Sequence, residues 1–153
     1  MKSLFLGTVT SPNYPENYPN SLDETKTIQV EPGLAVFLEF TAFDLEHQSA
    51  CPHDHLTITD GDGTTLMEKS CGRSGNPWMD VFGGQEIGSS LPPNFRSRSN
   101  SINITFSTDG SDTKTGWSFS WSAETPPGKG GVFFQSVTGY TYLLSFVSYS
   151  VFP

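Results

Sequence analysis

The residues best able to do chemistry concentrate in one stretch, TAFDLEHQSACPHDHL, which runs from Thr41 to Leu56. Three acidic side chains and three histidines surround a single cysteine there, between one apolar run that enters the stretch and another that leaves it. Carboxylates and imidazoles at this density can act as general acids and bases, ligate a metal ion, or remain solvated loop charges. Three interpretations are therefore open: a catalytic site, a metal site and a solvated loop.

The three histidines lack the sequence context that catalysis or zinc binding requires. No H-E-x-x-H and no G-x-S-x-G occurs in the chain, so neither a zinc protease helix nor a serine nucleophile is indicated. We predict surface or packing roles for His47, His53 and His55, and His55 could touch a partner because it lies on the strand that leaves Asp54. No catalytic residue is predicted, and the chain is not expected to be an enzyme.

The elements that position this stretch are predicted to be short β-strands. Apolar residues alternate with polar ones in several segments separated by Pro-Gly, Asp-Gly or similar turns, and this period of two is typical of half-buried strands. The alternating residues are Ile28 and Val30, then Val36, Leu38 and Phe40, then Leu56 and Ile58, then Ile102, Ile104 and Phe106, and finally Trp117, Phe119 and Trp121. No segment has helical spacing, so we predict an all-β chain forming an antiparallel sandwich or barrel.

Charge and composition narrow the classes of partner. The 153 residues carry a net charge of -8, and 35% of them are hydrophobic, which is enough for a folded core. A negative surface repels phosphate backbones, so no nucleic-acid partner is predicted, whereas a cation or a basic partner is favoured.

The two cysteines, Cys51 and Cys71, are 20 residues apart. In a reducing compartment they would be two thiols, and outside the cell they would form one disulfide, worth roughly 3 kcal/mol in the chain-entropy model. Neither belongs to a C-x-x-C motif, which makes a zinc or thioredoxin-like role a weak interpretation.

The two ends of the chain differ from the part between them. MKSLFLG is too short for a signal-peptide core, so no signal peptide is visible. Residues 124–131 are rich in Pro and Gly and read as a linker, and residues 132–153 carry no charge. We predict an irregular, unpacked tail over 132–153, with an added strand or membrane association as alternatives. Its apolar run is shorter than the ~20 residues that a membrane helix needs.

Residues 5–123 resemble a CUB domain, an extracellular β-sandwich module of jelly-roll type. The resemblance is carried, in family order, by SPNYPENYP, VFLEFTAFDLEHQSAC, CPHDHLTITDG, KSCG, GSSLPP, SNSINITFSTD and TGWSFSW. It implies a bridge between Cys51 and Cys71, the family's second disulfide. The first pair is absent: Glu24 lies near the position of one missing cysteine, and Lys26 stands where a tryptophan is common. A lone second bridge is similar to the first CUB domains of the complement subcomponents and of the mannan-binding-lectin-associated proteases.

The resemblance further implies a calcium site at one tip of the sandwich. Its ligands would be the side chains of Glu46, Asp54 and Asp109, with Ser111 offering its carbonyl and Asp112 standing where asparagine is frequent. Tyr18 would hold Glu46 through a hydrogen bond, and His53 replaces an aromatic residue that packs beside the site. The physical chemistry agrees, because carboxylates drawn together repel one another unless a hard cation lies among them.

Other polar residues are expected to have plainer roles. Asp44, Asp60, Asp62 and Asp80 are predicted to be solvated charges, and Arg96 and Arg98 a solvated edge. Asn103-Ile104-Thr105 is an N-x-[ST] sequon on the outward side of its strand, so Asn103 is a candidate glycosylation site.

The expected function is a secreted or extracellular, calcium-dependent recognition domain. By the resemblance, the carboxylates of Glu46, Asp54 and Asp109 would be ordered by calcium and would receive a Lys or Arg of a protein partner, such as a collagen-like stem. One alternative is a calcium-independent adhesive or carbohydrate-binding CUB module. Another is a fragment or splice product of a secreted serine protease that contains CUB domains.

Overall fold

The computed structural model describes residues 6–72 and 91–126 with their side chains, and the backbone of strand segments at 81–82, 85–86, 132–137 and 140–145. Its regular elements are all β-strands. In chain order they are β1 Leu6–Thr10, β2 Asp23–Gln29, β3 Ala35–Asp44, β4 His55–Asp60, β5 Thr65–Cys71, β6 Val81–Phe82, β7 Gln85–Glu86, β8 Phe95–Arg96, β9 Ser101–Ser107, β10 Gly116–Glu124, β11 Val132–Val137 and β12 Tyr140–Ser145. Among the described residues no helix has the length and apolar character needed to cross a membrane.

Two antiparallel sheets form the predicted sandwich. One has the order β1-β10-β3-β8, and the other has the order β2-β9-β4-β5 with the two-residue strands β6 and β7 at its edge. The jelly-roll-like all-β prediction is therefore confirmed. Antiparallel sheets of this kind turn one face to the core and one to solvent, which explains the alternation seen in the sequence.

Most of the alternating residues are buried as the period of two predicts, but Val30 and Trp121 are only partly buried. On β9, Ile102, Ile104 and Phe106 are at most 1% exposed, whereas Asn103 and Thr105 between them are only partly buried. The core continues through Trp117 and Phe119, whose rings stack with centroids 5.0 Å apart. Burial of these side chains is the main stabilising contribution, at about 25 cal/mol per Å² of apolar surface.

One pole of the sandwich collects the ends of four strands. Asp44, the last residue of β3, pairs with Gly116, the first residue of β10, and His55 at the start of β4 pairs with Ser107 at the end of β9. Antiparallel registry therefore brings the loops 45–54 and 108–115 together. The N-terminal loop joins them, since the amide of Tyr18 donates to the carbonyl of Lys114 at 3.1 Å.

The predicted tail contains regular structure. Strands β11 and β12 form a two-stranded antiparallel sheet of their own, in register from Val132↔Ser145 to Val137↔Tyr140. The prediction of an irregular tail is therefore wrong over these strands. The β-branched and aromatic residues of the segment favour an extended, paired backbone. At the linker, β10 runs to Glu124, one residue beyond the predicted domain end.

Asp60, the last residue of β4, is buried, contrary to the prediction. It was expected to be a solvated loop charge, but it is 0% exposed, and it accepts hydrogen bonds from the amides of Arg98 and Ser99 and from the Ser99 hydroxyl. Asp62 in the same turn is exposed, as predicted. Asp80 lies outside the described residues.

Of the two arginines at the predicted solvated edge, Arg96 has a side-chain partner and an aromatic neighbour. Arg96 pairs with Glu124 and lies over the Phe37 ring, its guanidinium carbon 5.6 Å from the ring centroid. Arg98 is exposed. Both side chains are exposed, in agreement with the edge prediction, and Arg96 in addition joins β8 to the end of β10.

Candidate metal centre

Tyr18 connects two acidic residues of the site through its hydroxyl group. Its side chain is 1% exposed and packs edge to face on Phe106, with ring centroids 5.1 Å apart. The hydroxyl donates to Oδ2 of Asp54 at 2.6 Å and accepts from the backbone amide of Glu46 at 3.0 Å. Burial, and then the hydrogen bond to Asp54, raise the pKa of Tyr18 far above its usual value, so the phenol stays protonated and keeps donating. Tyr18 therefore holds the main chain of Glu46, whereas its side-chain partner is Asp54.

Asp54 is a buried carboxylate with both oxygens engaged. It is 1% exposed, and while Oδ2 accepts from Tyr18, Oδ1 accepts from the backbone amide of Asp109 at 2.8 Å. A buried carboxylate is tolerated only where hydrogen bonds or charges compensate for the lost water. These two donors lock the orientation of the Asp54 carboxylate and tie three loops into one unit.

Asp109 lies in the loop that follows β9 and is partly exposed. Its Oδ1 accepts from the amide of Ser111 at 2.9 Å, and its Oδ2 lies 2.6 Å from Nδ1 of His53. The Ser111 hydrogen bond, followed by the neighbouring His53, holds the pKa of Asp109 below its usual range. Asp109 is therefore a carboxylate at neutral pH, and Ser111 contributes an N–H to this side chain.

Glu46 carries the unsatisfied group of the site. Its Oε2 is buried and has no hydrogen-bond partner among the described residues. Burial raises the pKa of Glu46. The negative charges of Asp109 and Asp54 raise this pKa further, and the neighbouring His53 lowers it. No described residue donates to this oxygen, which the neighbouring carboxylates of Asp109 and Asp54 repel. A cation at this point would relieve both defects, so the residues present fit the ion that the resemblance implies.

The compact donor group at this pole consists of Glu46, His53 and Asp109. One ligand atom of each lies within 4.8 Å of the other two. Asp54 is linked to the group because its carboxylate accepts a hydrogen bond from the amide of Asp109. Asp112 is exposed in the same loop as Asp109, and its negative charge acts on Glu46. The structure thus brings the predicted acids to one pole, and it adds His53, to which the sequence assigned a packing role.

His53 and His55 each make a polar contact that the sequence did not predict. His53 faces Asp109, and Nδ1 of His55 bonds the carbonyl of His53 at 2.9 Å. The sequence contained one signal for His53, since a histidine next to the presumed ligand Asp54 is itself a ligand type. His47 is only partly exposed, and its Nε2 is buried without a hydrogen-bond partner among the described residues.

The predicted disulfide forms between Cys51 and Cys71, with Cα atoms 5.6 Å apart. It fastens loop 45–54 to the end of β5. A second fastening lies beside it, where the amide of Leu45 donates to the carbonyl of Gly72 at 2.7 Å. The loop needs such anchoring because Ala50 and Cys51 both adopt left-handed backbone conformations, with φ of 64° and 48°, which are unfavourable for residues other than glycine.

Asn103 lies away from this pole, on the outer face of the second sheet. Its Oδ1 accepts from the hydroxyl of Thr27 at 2.8 Å, and the position is partly exposed as the alternation predicted. Glycosylation of Asn103 stays a prediction.

Comparison with known proteins gives one family and several relatives. The sequence model of the CUB domain matches residues 5–121. Cubilin of Homo sapiens is 34% identical over 125 residues, which cover 81% of this chain and 3% of cubilin. Neuropilin-2 of Rattus norvegicus is 34% identical over 118 residues, which cover 73% of this chain and 11% of neuropilin-2. The chain therefore spans a small part of the length of these relatives.

Among solved structures, the crystal structure of the MASP-1 CUB2 domain bound to Ca2+ is similar in fold and sequence. It superposes with a TM-score of 0.60 at 32% identity, covering 76% of this chain and 90% of that domain.

Proposed function

The chain belongs to the CUB domain family, and on that premise we propose that it is a non-enzymatic, extracellular, calcium-binding module that recognises protein partners. The observation that carries the proposal is the buried Oε2 of Glu46, which has no hydrogen-bond partner among the described residues and faces the repulsion of Asp109 and Asp54. The Ca2+-bound MASP-1 CUB2 domain, with its similar fold, supports calcium as the ion.

The residues that would hold the ion are Glu46, Asp109 and Asp54, with Ser111 and Asp112 on the adjoining loop. Bound calcium supplies positive charge and oxygen coordination that cancel the repulsion among these carboxylates. The protein's own contribution is to fix them beforehand. Tyr18 orients Asp54 and the main chain of Glu46, and Asp54 in turn orients the main chain of Asp109.

The proposed partner offers a lysine or arginine, because the pole is acidic and partly exposed while the whole chain has a net charge of -8. Carboxylate oxygens of Glu46 and Asp109 would accept charge-assisted hydrogen bonds from that side chain, and His55 would lie beside the contact. Asp54, which was also expected to take part, is 1% exposed and would support the contact from below. A collagen-like stem is the partner that the resemblance to complement-type CUB domains suggests. The single bridge between Cys51 and Cys71 is the feature of this chain on which that suggestion rests.

An extracellular location is supported by the disulfide, since such bonds persist in oxidising compartments and are rare in the cytosol. Extracellular modules bind calcium at about 10⁻⁴ to 10⁻³ M, a range in which the site would fill outside cells.

The experiment compares the wild type with Glu46→Gln, which keeps the side-chain size and removes the charge. Ca2+ should raise the thermal midpoint of the wild type, by a stabilisation of about 2.7 kcal/mol at 100 times Kd, and titration calorimetry should detect binding. Glu46→Gln should lose most of both effects. Glu39→Gln, at an exposed position on β3, is the matched control and should respond to Ca2+ as the wild type does.

A wild type whose midpoint is the same in calcium and in chelator, while it still binds its partner, would contradict the proposal. That outcome would favour the calcium-independent adhesive or carbohydrate-binding alternative.

A further inference from the structure

His53 supplies a donor that calcium binding does not use. Its Nδ1 lies 2.6 Å from Oδ2 of Asp109, and together with Glu46 these residues form the group whose ligand atoms lie within 4.8 Å of one another. The His53 side chain is 41% exposed, so the group is open to an ion arriving from solvent.

The donors of this group suit an ion other than calcium. Calcium takes six to eight oxygen ligands, whereas Zn2+ is held by three protein ligands drawn from imidazoles and carboxylates, with water in the fourth position. Both oxygens of Asp54 already accept hydrogen bonds, from Tyr18 and from the Asp109 amide. Asp54 lies outside the group whose ligand atoms are close together, and the group itself consists of two carboxylates and one imidazole. The nitrogen in this set favours first-row transition ions.

A second observation points to a cation at the same place. Oε2 of Glu46 is buried, and no described residue donates to it. His53 does not fill this role, because its Nδ1 is engaged with Asp109. The group thus combines an imidazole nitrogen that is bonded to Asp109 with an oxygen of Glu46 that lacks a partner among the described residues.

We propose that His53 makes this pole a mixed oxygen and nitrogen site that binds Zn2+ through Nδ1 of His53, Glu46 and Asp109, in competition with Ca2+. The inference deepens the calcium proposal, on which it rests for the two carboxylates. Zinc takes the place of the Nδ1 proton in the hydrogen bond between His53 and Asp109. That proton is exchanged through solvent for one on Nε2, so the imidazole binds zinc as its neutral Nε2–H tautomer.

The test titrates Zn2+ alone, and Ca2+ alone, into the metal-free full chain. His53→Phe restores an aromatic ring without nitrogen and should weaken zinc binding by roughly tenfold or more, while its calcium affinity stays equal to that of the wild type. His47→Gln removes a nearby imidazole that lies outside the group and is the matched control. It should bind zinc as the wild type does.

Long-range proton–nitrogen NMR of the wild type gives a second readout that needs no variant. Zn2+ should shift the Nδ1 resonance of His53 strongly, and Ca2+ should not. Equal zinc affinity in the wild type and His53→Phe, or an unmoved Nδ1 resonance at saturating zinc, would overturn the inference. If the chain binds Ca2+ but does not bind zinc through His53, the zinc inference fails and the calcium proposal stands. If the chain binds zinc through His53 but does not bind Ca2+, the calcium proposal fails.

Discussion

At the scale of single residues, Tyr18 positions two acidic residues that belong to separate parts of one loop. Its hydroxyl serves Asp54 as a donor and the amide of Glu46 as an acceptor. Because the ring is buried against Phe106, the hydroxyl cannot turn to water instead. The site is therefore held by a group that does not itself need to touch an ion.

Replacing Tyr18 by Phe tests this role. The variant leaves Oδ2 of the buried Asp54 without its donor, so we expect a loss of about 1–3 kcal/mol in the free energy of unfolding and a loss of roughly 10–100-fold in calcium affinity. Urea unfolding and titration calorimetry measure the two effects. Tyr14→Phe, at a partly exposed position in the same loop, is the control. Unchanged stability and affinity in Tyr18→Phe would show that Asp54 is held by other means.

At the scale of elements, Asp60 joins the turn after β4 to the segment that leads into β9. It accepts hydrogen bonds from Arg98 and Ser99, and the carbonyl of Ser101 accepts from the amide of Gly61 at 2.9 Å. Burial alone would raise the pKa of Asp60, but the hydrogen bonds from Ser99 and Arg98 outweigh it and hold the pKa below its usual range.

Asp60→Asn should therefore destabilise the chain in a pH-dependent way. At pH 7 we expect a loss of about 1.5–3 kcal/mol, because amide N–H groups would face an NH2 in place of a carboxylate oxygen. Since the folded-state pKa is depressed, the stabilisation by Asp60 is complete above its unfolded pKa of about 3.9 and is lost as the pH falls through the lower folded value. Urea unfolding at pH 7 and near pH 3 should show that the difference in the free energy of unfolding between the wild type and Asp60→Asn is smaller at the lower pH. Asp62→Asn, exposed in the same turn, should show no gap at either pH.

The strands and the pole could be predicted from sequence, whereas two of the polar contacts could not. Alternation located the faces of β3, β4 and β9, because burial repeats every second residue there. On β10 it does not, since the register with β3 shifts between Ser118 and Phe119 and Ser122 is buried while Trp121 is only partly buried. Read strictly, the same alternation places Asp60 with Leu56 and Ile58 on the buried face, yet its acidity favoured a solvated position. The contact between His53 and Asp109 depends on the path of two irregular loops, which no periodicity encodes.

At the scale of the whole molecule, the described sandwich has its own core and its own polar pole. Strands β11 and β12 pair with each other in a separate sheet. We therefore retain the proposal that residues 5–123 form the domain, with a linker at 124–131 and a separate segment at 132–153.

A chain ending at Pro126 tests this division. It should unfold in one cooperative transition with the same midpoint as the full chain and should bind Ca2+ equally, because both sheets and the pole are kept. It should also be more soluble, because an uncharged segment of high β-propensity is removed. Circular dichroism melts and light scattering measure these properties. A drop in the midpoint with loss of cooperativity would mean that the segment belongs to the core.

The hydrogen-bonded chain from Glu46 through Tyr18 and Asp54 to Asp109 also bears on how quickly the pole can respond. Folding has already fixed the Asp54 carboxylate and the main chain at Glu46 and Asp109, so an incoming ion has only the side chains of Glu46 and Asp109 to order. The slow step of ion capture is then the shedding of the ion's own hydration shell. Occupancy should follow the surrounding ion concentration without a conformational lag.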